Sequence, residues 1–267
     1  MINNNLYLKG VIDKYTRAIS VFQPSKLNEL ETELKKWAGD CYVDVKRSGS
    51  YSKGTSISLT SDIDLLVSLR SGCNEHNGGL EGIYNALFAY LNSRYMNVRR
   101  QNVSVGLELP GPTILAGNYK IDVTPGRLQP NSNVDHSLYI SKTRSWTKTN
   151  IHKHIEDIKN SGFTNEIRLL KTWRELNGLE FTSIYLEYLV LNILSGRNKG
   201  LHCLAENFWH ILVKLSNGPE NPLYLRVIDP ANSSNILSDT LTDAEKQKII
   251  NAALLATRQN NWNNIVG

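Results

Sequence analysis

The chain has 267 residues, 40% of them hydrophobic, with 30 basic against 25 acidic side chains and a formal net charge of +5. That composition describes a globular chain, one large domain or two small lobes with a sizeable core, and it excludes a chain with a basic tail. The mild positive excess favours anionic ligands such as nucleotides without identifying one.

Taken in chain order, residues 25 to 38, SKLNELETELKKWA, place Leu27, Leu30, Leu34 and Trp37 at helical spacing behind Ser25, which reads as an N-cap. CYVDVKR (41–47) reads as a strand, SDIDLLVSL (61–69) as a second, and SGCNEHNGG (71–79) as a polar loop. Helical spacing returns over residues 80 to 95 in Leu80, Ile83, Tyr84, Leu87, Phe88 and Leu91. VSVGLEL (103–109) and GNYKIDVTP (117–125) read as strands joined through the turn-rich PGPT (110–113).

From about residue 150 the pattern is helical, in NIHKHIEDIKN, NEIRLLKTWRELNG, SIYLEYLVLNILS and CLAENFWHILVKLS, with one strand, LYLRVID (223–229), between. Thr242-Asp243-Ala244-Glu245 is a capping-box pattern that announces a last helix running to about Arg258. The shift near residues 145 to 150 divides the chain into residues 1–147, a sheet-bearing lobe with an N-terminal helix, and residues 148–267, a helical lobe.

Cys41, Cys73 and Cys203 are odd in number, far apart in sequence and form no C-x-x-C pair, so neither a disulfide framework nor a zinc site is expected. A reducing, cytoplasmic compartment fits best. No signal peptide is evident, and SIYLEYLVLNIL is interrupted by Glu187 and too short to span a bilayer, so no membrane partner is expected.

Asp62 and Asp64 are the chemically informative pair. Strand alternation puts them on one face, roughly 7 Å apart, while Ile63, Leu65 and Val67 face the core. Two ionised carboxylates beside a core cost several kcal/mol, on the order of the penalty for an unpaired buried charge, unless a cation neutralises them. Two magnesium ions about 3.5 to 4 Å apart would do so and would clamp the attacking and leaving oxygens of a phosphoryl transfer. Asp122 in NYKIDVTPG repeats the pattern, mid-strand between Ile121 and Val123, and is the third carboxylate such a site needs.

Ahead of the pair, GSYSKGTS (49–56) approaches a P-loop, but Lys53 precedes Gly54 instead of following it, and a strand rather than a helix comes next. The segment reads as a loop that cradles a triphosphate through Ser50 and backbone N–H groups. His152 and His154 are two apart in a helical stretch and cannot share a metal as an i, i+4 pair could; they read as surface residues. Asp229-Pro230-Ala231-Asn232 reads as a turn that orders the lobe.

GSYSKGTSISLTSDIDLLVSL followed by YKIDVTPGR resembles the Gly-Ser, Asp-x-Asp and third-Asp signature of the DNA polymerase β-like nucleotidyltransferase superfamily. EIRLLKTW, FTSIYLEYLVL and VIDPANSSNIL resemble the helical lobe of the branch that holds oligoadenylate synthases, cyclic GMP-AMP synthase and the bacterial CD-NTases, the cyclic-oligonucleotide synthases of anti-phage CBASS defence. The resemblance covers roughly residues 40 to 255.

It implies an α/β (α+β) two-lobed fold: a mixed-sheet lobe carrying the acidic triad, a helical lobe, and an active site in the cleft between them. It further implies that Gly49 and Ser50 grip the triphosphate and that Asp62, Asp64 and Asp122 hold two Mg²⁺ or Mn²⁺ ions. Lys171 and Ser183 fall where the family places groups that reach the donor phosphates. Tyr185 would stack on a base or belong to the core.

The implied substrates are nucleoside triphosphates: ATP, with GTP or a pyrimidine nucleotide as alternatives. The implied product is a cyclic di- or oligonucleotide messenger. Enzymes that extend RNA or modify a protein, and an inactive nucleic-acid-binding module, are the competing readings. The zinc-binding cluster of animal cyclic GMP-AMP synthase is absent, so no DNA requirement is implied. In some family systems an accessory protein joins the synthase through its C-terminal residue, and a flexible tail ending in Gly267 would suit that chemistry.

Overall fold

The computed structural model describes residues 4–16, 24–59, 62–74, 77–111, 118–218 and 220–267. In chain order the helices are α1 (Asn5–Thr16), α2 (Pro24–Ala38), α3 (Gly49–Lys53), α4 (Gly79–Asn92), α5 (Ile151–Lys159), α6 (Thr164–Leu176), α7 (Ser183–Ile193), α8 (Leu204–Ser216), α9 (Asp243–Thr257) and α10 (Asn263–Val266). The strands are β1 (Tyr42–Arg47), β2 (Ile63–Leu69), β3 (Arg99–Arg100), β4 (Val105–Pro110), β5 (Asn118–Leu128), β6 (His136–Ile140), β7 (Ser145–Thr149), β8 (Ile228–Asp229) and β9 (Asn232–Ile236).

The chain divides into two compact units: Val21–Ser52 with Ser61–Ile155, and Met1–Ser20 with Lys53–Thr60 and Glu156–Gly267. The first holds a mixed sheet in the order β1-β2-β5-β4-β3, with β6 on β5 and β7 on β6. Only β2 and β5 run parallel; β1–β2, β3–β4, β4–β5, β5–β6 and β6–β7 are antiparallel. From Leu65 to Leu69 every residue of β2 is buried, the continuous apolar run of a central strand covered on both faces, with Ser68 as its one polar member. Leu27, Leu30 and Leu34 of α2 and Ile83, Tyr84, Leu87 and Leu91 of α4 join this core, as their helical spacing anticipates.

In the helical unit, Leu8, Val11 and Ile12 of α1 pack into a core with Ile167, Leu170 and Trp173 of α6, Leu186 and Val190 of α7, Phe208 and Leu212 of α8, and Ile249 and Ala253 of α9. The capping box closes at α9: Thr242 Oγ1 accepts from the Glu245 backbone N–H at 3.3 Å, and Glu245 Oε2 accepts from the Thr242 N–H at 2.7 Å.

Several expectations need correction. Cys41 and Cys73 are joined by a disulfide, with Cα atoms 5.5 Å apart, because antiparallel β1 and β2 set Tyr42 opposite Leu69 and bring the two flanking cysteines to one end of the sheet. Helix α2 starts at Pro24, so Ser25 lies inside it and is not its N-cap. LYLRVID forms a strand only at Ile228–Asp229, which pairs with Asn232–Ile236 across the Asp229–Asn232 turn. Inside that turn Asp229 Oδ1 accepts from the Ala231 N–H at 2.9 Å, a bond that holds the chain reversal. Helix α1 and strands β6 and β7 were not anticipated, and α1 sits in the helical unit. The C-terminal segment is not a loose tail: Ile265 and Val266 are buried in the helical core. Part of the PGPT turn and residues 75 and 76 of the polar loop lie outside the described residues. No helix among the described residues is long and apolar enough to cross a membrane.

His136 on β6 is fully buried, with Nδ1 3.0 Å from the Val134 carbonyl and Nε2 2.8 Å from Ser68 Oγ. The carbonyl can only accept, so Nδ1 carries a proton, and in the neutral imidazole that burial favours Nε2 accepts from the serine hydroxyl. Burial pushes its pKa down from the ordinary 6.5 to about 4. The unfolded chain therefore binds the proton first. Stability is fully present above pH 6.5 and is lost as the pH falls toward 4, by about 3 kcal/mol from this group. Denaturant titrations from pH 7 to pH 4 should show that loss, and His136→Gln should remove this part of it.

Candidate active site

The parallel ladder between β2 and β5 runs in the register Ile63↔Ile121, Asp64↔Asp122 and Leu65↔Val123. Ile121, Val123 and Leu65 are completely buried in the core, so alternation turns Asp64 and Asp122 to the opposite face as direct neighbours across the ladder. Asp62 stands one residue before β2, on the same face as Asp64. The three carboxylates singled out by pattern thus occupy adjoining positions on one side of the sheet.

Their mutual effect is visible at Asp122. Burial, and then the charge of Asp62, raise its pKa above the ordinary carboxylate value, against the lowering pull of Arg99, Gln101 and Lys120. Gln101 Nε2 donates to Asp122 Oδ1 at 2.9 Å, and Gln101 Oε1 accepts from Ser104 Oγ at 2.5 Å, which fixes the orientation of the amide. The Arg99 guanidinium stands 3.7 Å from the same Asp122 oxygen.

Room for this arrangement comes from Gly106, which pairs with Asp122 on one side and with Arg99 on the other. A methyl group there would lie 2.9 Å from both Arg99 Cζ and Gln101 Nε2, so the strand crosses beneath those side chains only because it carries none. Gln101, Arg99 and Gly106 were not legible as site residues; a glycine inside the apolar VSVGLEL strand was the one available signal.

The Gly-Ser segment is a single helical turn, α3, rather than a loop. Gly49 opens it with φ +63°, and a methyl group there would come within 1.7 Å of Asp64 Oδ2. Glycine is required twice, for the left-handed backbone and for the close approach to the carboxylate. The Ser48 N–H donates to the Asp64 carbonyl at 2.8 Å, fixing the turn to the start of β2.

Three carboxylates are hard oxygen donors of the kind that suit Mg²⁺ or Mn²⁺, and their unrelieved repulsion is what a divalent cation would remove. The donor chemistry therefore fits the expected ions. Among the described residues, however, no group of three His, Cys, Asp or Glu side chains is already gathered around one ion position. Asp122 Oδ1 is instead directed at Gln101 and Arg99.

Lys171, Ser183 and Tyr185 belong to the helical unit. Lys171 is buried and does not present its ammonium to solvent: Nζ donates to Glu187 Oε1 at 2.7 Å and to Thr55 Oγ1 at 3.0 Å. Lys53 Nζ donates to the other oxygen of Glu187 at 2.5 Å, and Thr55 Oγ1 donates to Oε1 at 2.7 Å. One carboxylate is shared by two ammoniums. Burial opposes the charge on Glu187, but Lys171 and Lys53 outweigh it and hold the carboxyl below its ordinary range. Burial lowers the Lys171 pKa, to about 8, and Lys53 adds to that effect while Glu187 resists it.

Tyr185 lies in the core at 0% exposure with Phe181 edge-on to its ring, so it has no free face on which a base could stack. Ser183 is half-buried at the start of α7, where its Oγ accepts from Arg174 Nη1 at 3.4 Å. His152 is exposed, with Nε2 3.1 Å from Lys46 Nζ.

Neither a protein-family model nor a curated protein matches the sequence. Solved structures do. The chain is similar to CdnC of Escherichia coli MS115-1, solved in complex with HORMA-deltaN, at a TM-score of 0.70 and 20% identity over 96% of this chain and 89% of that one. It is similar to the CD-NTase CdnG of Bradyrhizobium diazoefficiens, solved with GTP, at 0.68 and 13% over 97% and 95%. The Cid1 poly(U) polymerase, bound to MgATP, matches at 0.62 and 13% over 95% and 93%. The chain therefore has the mixed α/β fold of the polymerase β-like nucleotidyltransferases.

Two substitutions test the local geometry. Gly49→Ala should destabilise the sheet unit by about 1–3 kcal/mol from backbone strain alone, before the clash with Asp64 is counted. Adding Asp64→Ala should recover the part of the clash made by the carboxylate but neither the strain nor the 2.8 Å approach to Cβ of residue 64, as denaturant melts of the single and double variants would read. Glu187→Gln should cost about 3 kcal/mol or more, because two buried ammoniums lose their counter-charge. A thermal melt that leaves the Glu187→Gln midpoint unchanged would show that the cluster is not held as described.

Proposed function

We propose that the protein is a metal-dependent nucleotidyltransferase of the bacterial CD-NTase type, which joins nucleoside triphosphates into a cyclic di- or oligonucleotide for anti-phage (CBASS) defence. The observation that carries the reading is the register Asp64↔Asp122, with Asp62 on the same face and the Gly49 turn packed against Asp64. The similarity to CdnC and CdnG, at TM-scores of 0.70 and 0.68, supports the choice of type.

In this reading Asp62, Asp64 and Asp122 hold Mg²⁺ or Mn²⁺, which when bound supplies the positive charge that phosphoryl transfer needs. Asp122, or the cluster acting together, helps take the proton of the attacking ribose hydroxyl. Arg99 and Gln101 hold its carboxylate in place while it does so. Backbone N–H groups of the α3 turn and Ser50 bind the triphosphate, as the first turn of a helix binds anions through its unpaired donors.

The second reading is transfer of nucleotides to RNA, which the similarity to Cid1 at a TM-score of 0.62 keeps in play. Incubation with all four ribonucleoside triphosphates and Mg²⁺ or Mn²⁺, with and without added RNA, separates the two. The messenger reading requires small phosphatase-resistant products without RNA, read by mass spectrometry; label entering only the RNA would replace it by the second. Asp62→Asn, Asp64→Asn and Asp122→Asn should each abolish product. Each should leave the melting temperature of the metal-free protein unchanged or raised, because a like charge has been removed.

A further inference from the structure

Strand β3 is two residues long, and its alternation sends neighbouring arginines to opposite sides. Arg99 goes to Asp122, whereas the Arg100 guanidinium lies over the Phe88 ring at 4.0 Å and near that of Tyr84 at 5.6 Å. On the Arg100 side is a cavity of about 380 Å³ lined by Arg100, Gln101, Asn102, Lys142 and Arg144 together with Tyr84, Tyr139, Glu81, Asn85 and Ser141. None of its basic residues belongs to the acidic site.

We propose that this cavity binds a phosphate monoester of mononucleotide size. Three cations face one carboxylate, Glu81, which Arg144 engages at 3.5 Å. The surplus of two positive charges matches a phosphate monoester, which carries close to two negative charges at neutral pH. Arg100 is held in place by one bond, Nη1 to Asn85 Oδ1 at 2.7 Å, and a guanidinium has further donors to offer. Lys142 is fixed through its main chain, whose N–H donates to Asn102 Oδ1 at 3.2 Å, while its ammonium makes no ion pair among the described residues. Tyr84 and Tyr139, with ring centroids 5.5 Å apart, supply an aromatic part of the wall. The volume lies at the small end of ligand sites, which run from about 300 to 1,000 Å³.

The same wall reaches the chemistry. The Gln101 carbonyl accepts from Tyr84 Oη at 2.7 Å and from Ser141 Oγ at 2.9 Å, both cavity residues, while the Gln101 side chain holds Asp122. A ligand seated against Arg100 and Lys142 would bear on the segment that orients Asp122. That coupling, unlike the binding itself, rests on the nucleotidyltransferase reading.

Isothermal titration with 5′-AMP and, separately, with inorganic phosphate tests the site, in EDTA so that no turnover occurs. The wild type and Asp62→Asn should bind 5′-AMP equally and more tightly than phosphate. Lys142→Glu, an exposed substitution outside the acidic site, should weaken 5′-AMP by at least about tenfold, the effect of losing one charge-assisted contact. Absence of binding to the wild type, an unchanged affinity in Lys142→Glu, or parallel loss in Asp62→Asn would each overturn the proposal. Affinity for 5′-AMP no better than for phosphate would overturn its mononucleotide size. Because binding is read without turnover, failure of the messenger assay leaves this result standing.

Discussion

The arrangement depends on one ladder. Parallel pairing of β2 with β5 in the register Asp64↔Asp122 places two carboxylates on adjacent strands, which lie about 4.8 Å apart in any sheet, and Asp62 adds a third to the same face. Burial first, and then the charge of Asp62, raise the pKa of Asp122. The neighbouring residues are fitted closely around these carboxylates. Arg99 and Gln101 reach across a strand to the Asp122 carboxylate, Gly106 lets them cross, and Gly49 allows the α3 turn to close on Asp64.

The helical unit carries the opposite imbalance. Lys53 and Lys171 share Glu187 in a buried cluster, leaving one positive charge in excess; burial first, and then Lys53, lower the pKa of Lys171. Thr55 bridges the same group, donating to Glu187 and accepting from Lys171. The sequence places Lys53 at the last position of α3, four residues after Gly49. A turn of five residues has little helical stability of its own, and the close approach of Gly49 to Asp64 supplies part of what propensity cannot.

Much of this was legible in the chain. Period-two alternation found β2 and β5, helical spacing found α2, α4 and α6 to α8, and the capping box marked α9, because each carries its core face in its own residues. The Asp-x-Asp pattern and Asp122 were readable for the same reason: a charge at an outward position of an apolar strand stands out. What escaped detection depends on contacts made only in the folded chain. Gln101 is an ordinary polar residue until Gly106 and Ser104 orient it, and β6 and β7 are too short to reveal themselves before β6 pairs with β5 and β7 with β6. The resemblance places Lys171 among the phosphate-reaching groups and leaves Tyr185 between a stacking surface and the core, because helix position alone does not report burial. The cation finds Glu187 only when α6 and α7 pack, and the Tyr185 ring is then buried in the same core.

The cysteines illustrate the same limit. A separation of 32 residues makes Cys41 and Cys73 strangers in sequence, but β1 and β2 are joined by antiparallel pairing, which returns the chain to the starting end of the hairpin. Closing a loop of that length removes unfolded-state entropy equivalent to about 3–4 kcal/mol in the chain-entropy account. The bond sits just past Leu69, at the end of β2 opposite Asp64. One strand therefore carries the electrostatic cost at its first residues and a covalent tether beyond its last. The tether does not touch the carboxylates, but it stabilises the strand that must present them, which is where a site built on mutual repulsion needs support from outside itself.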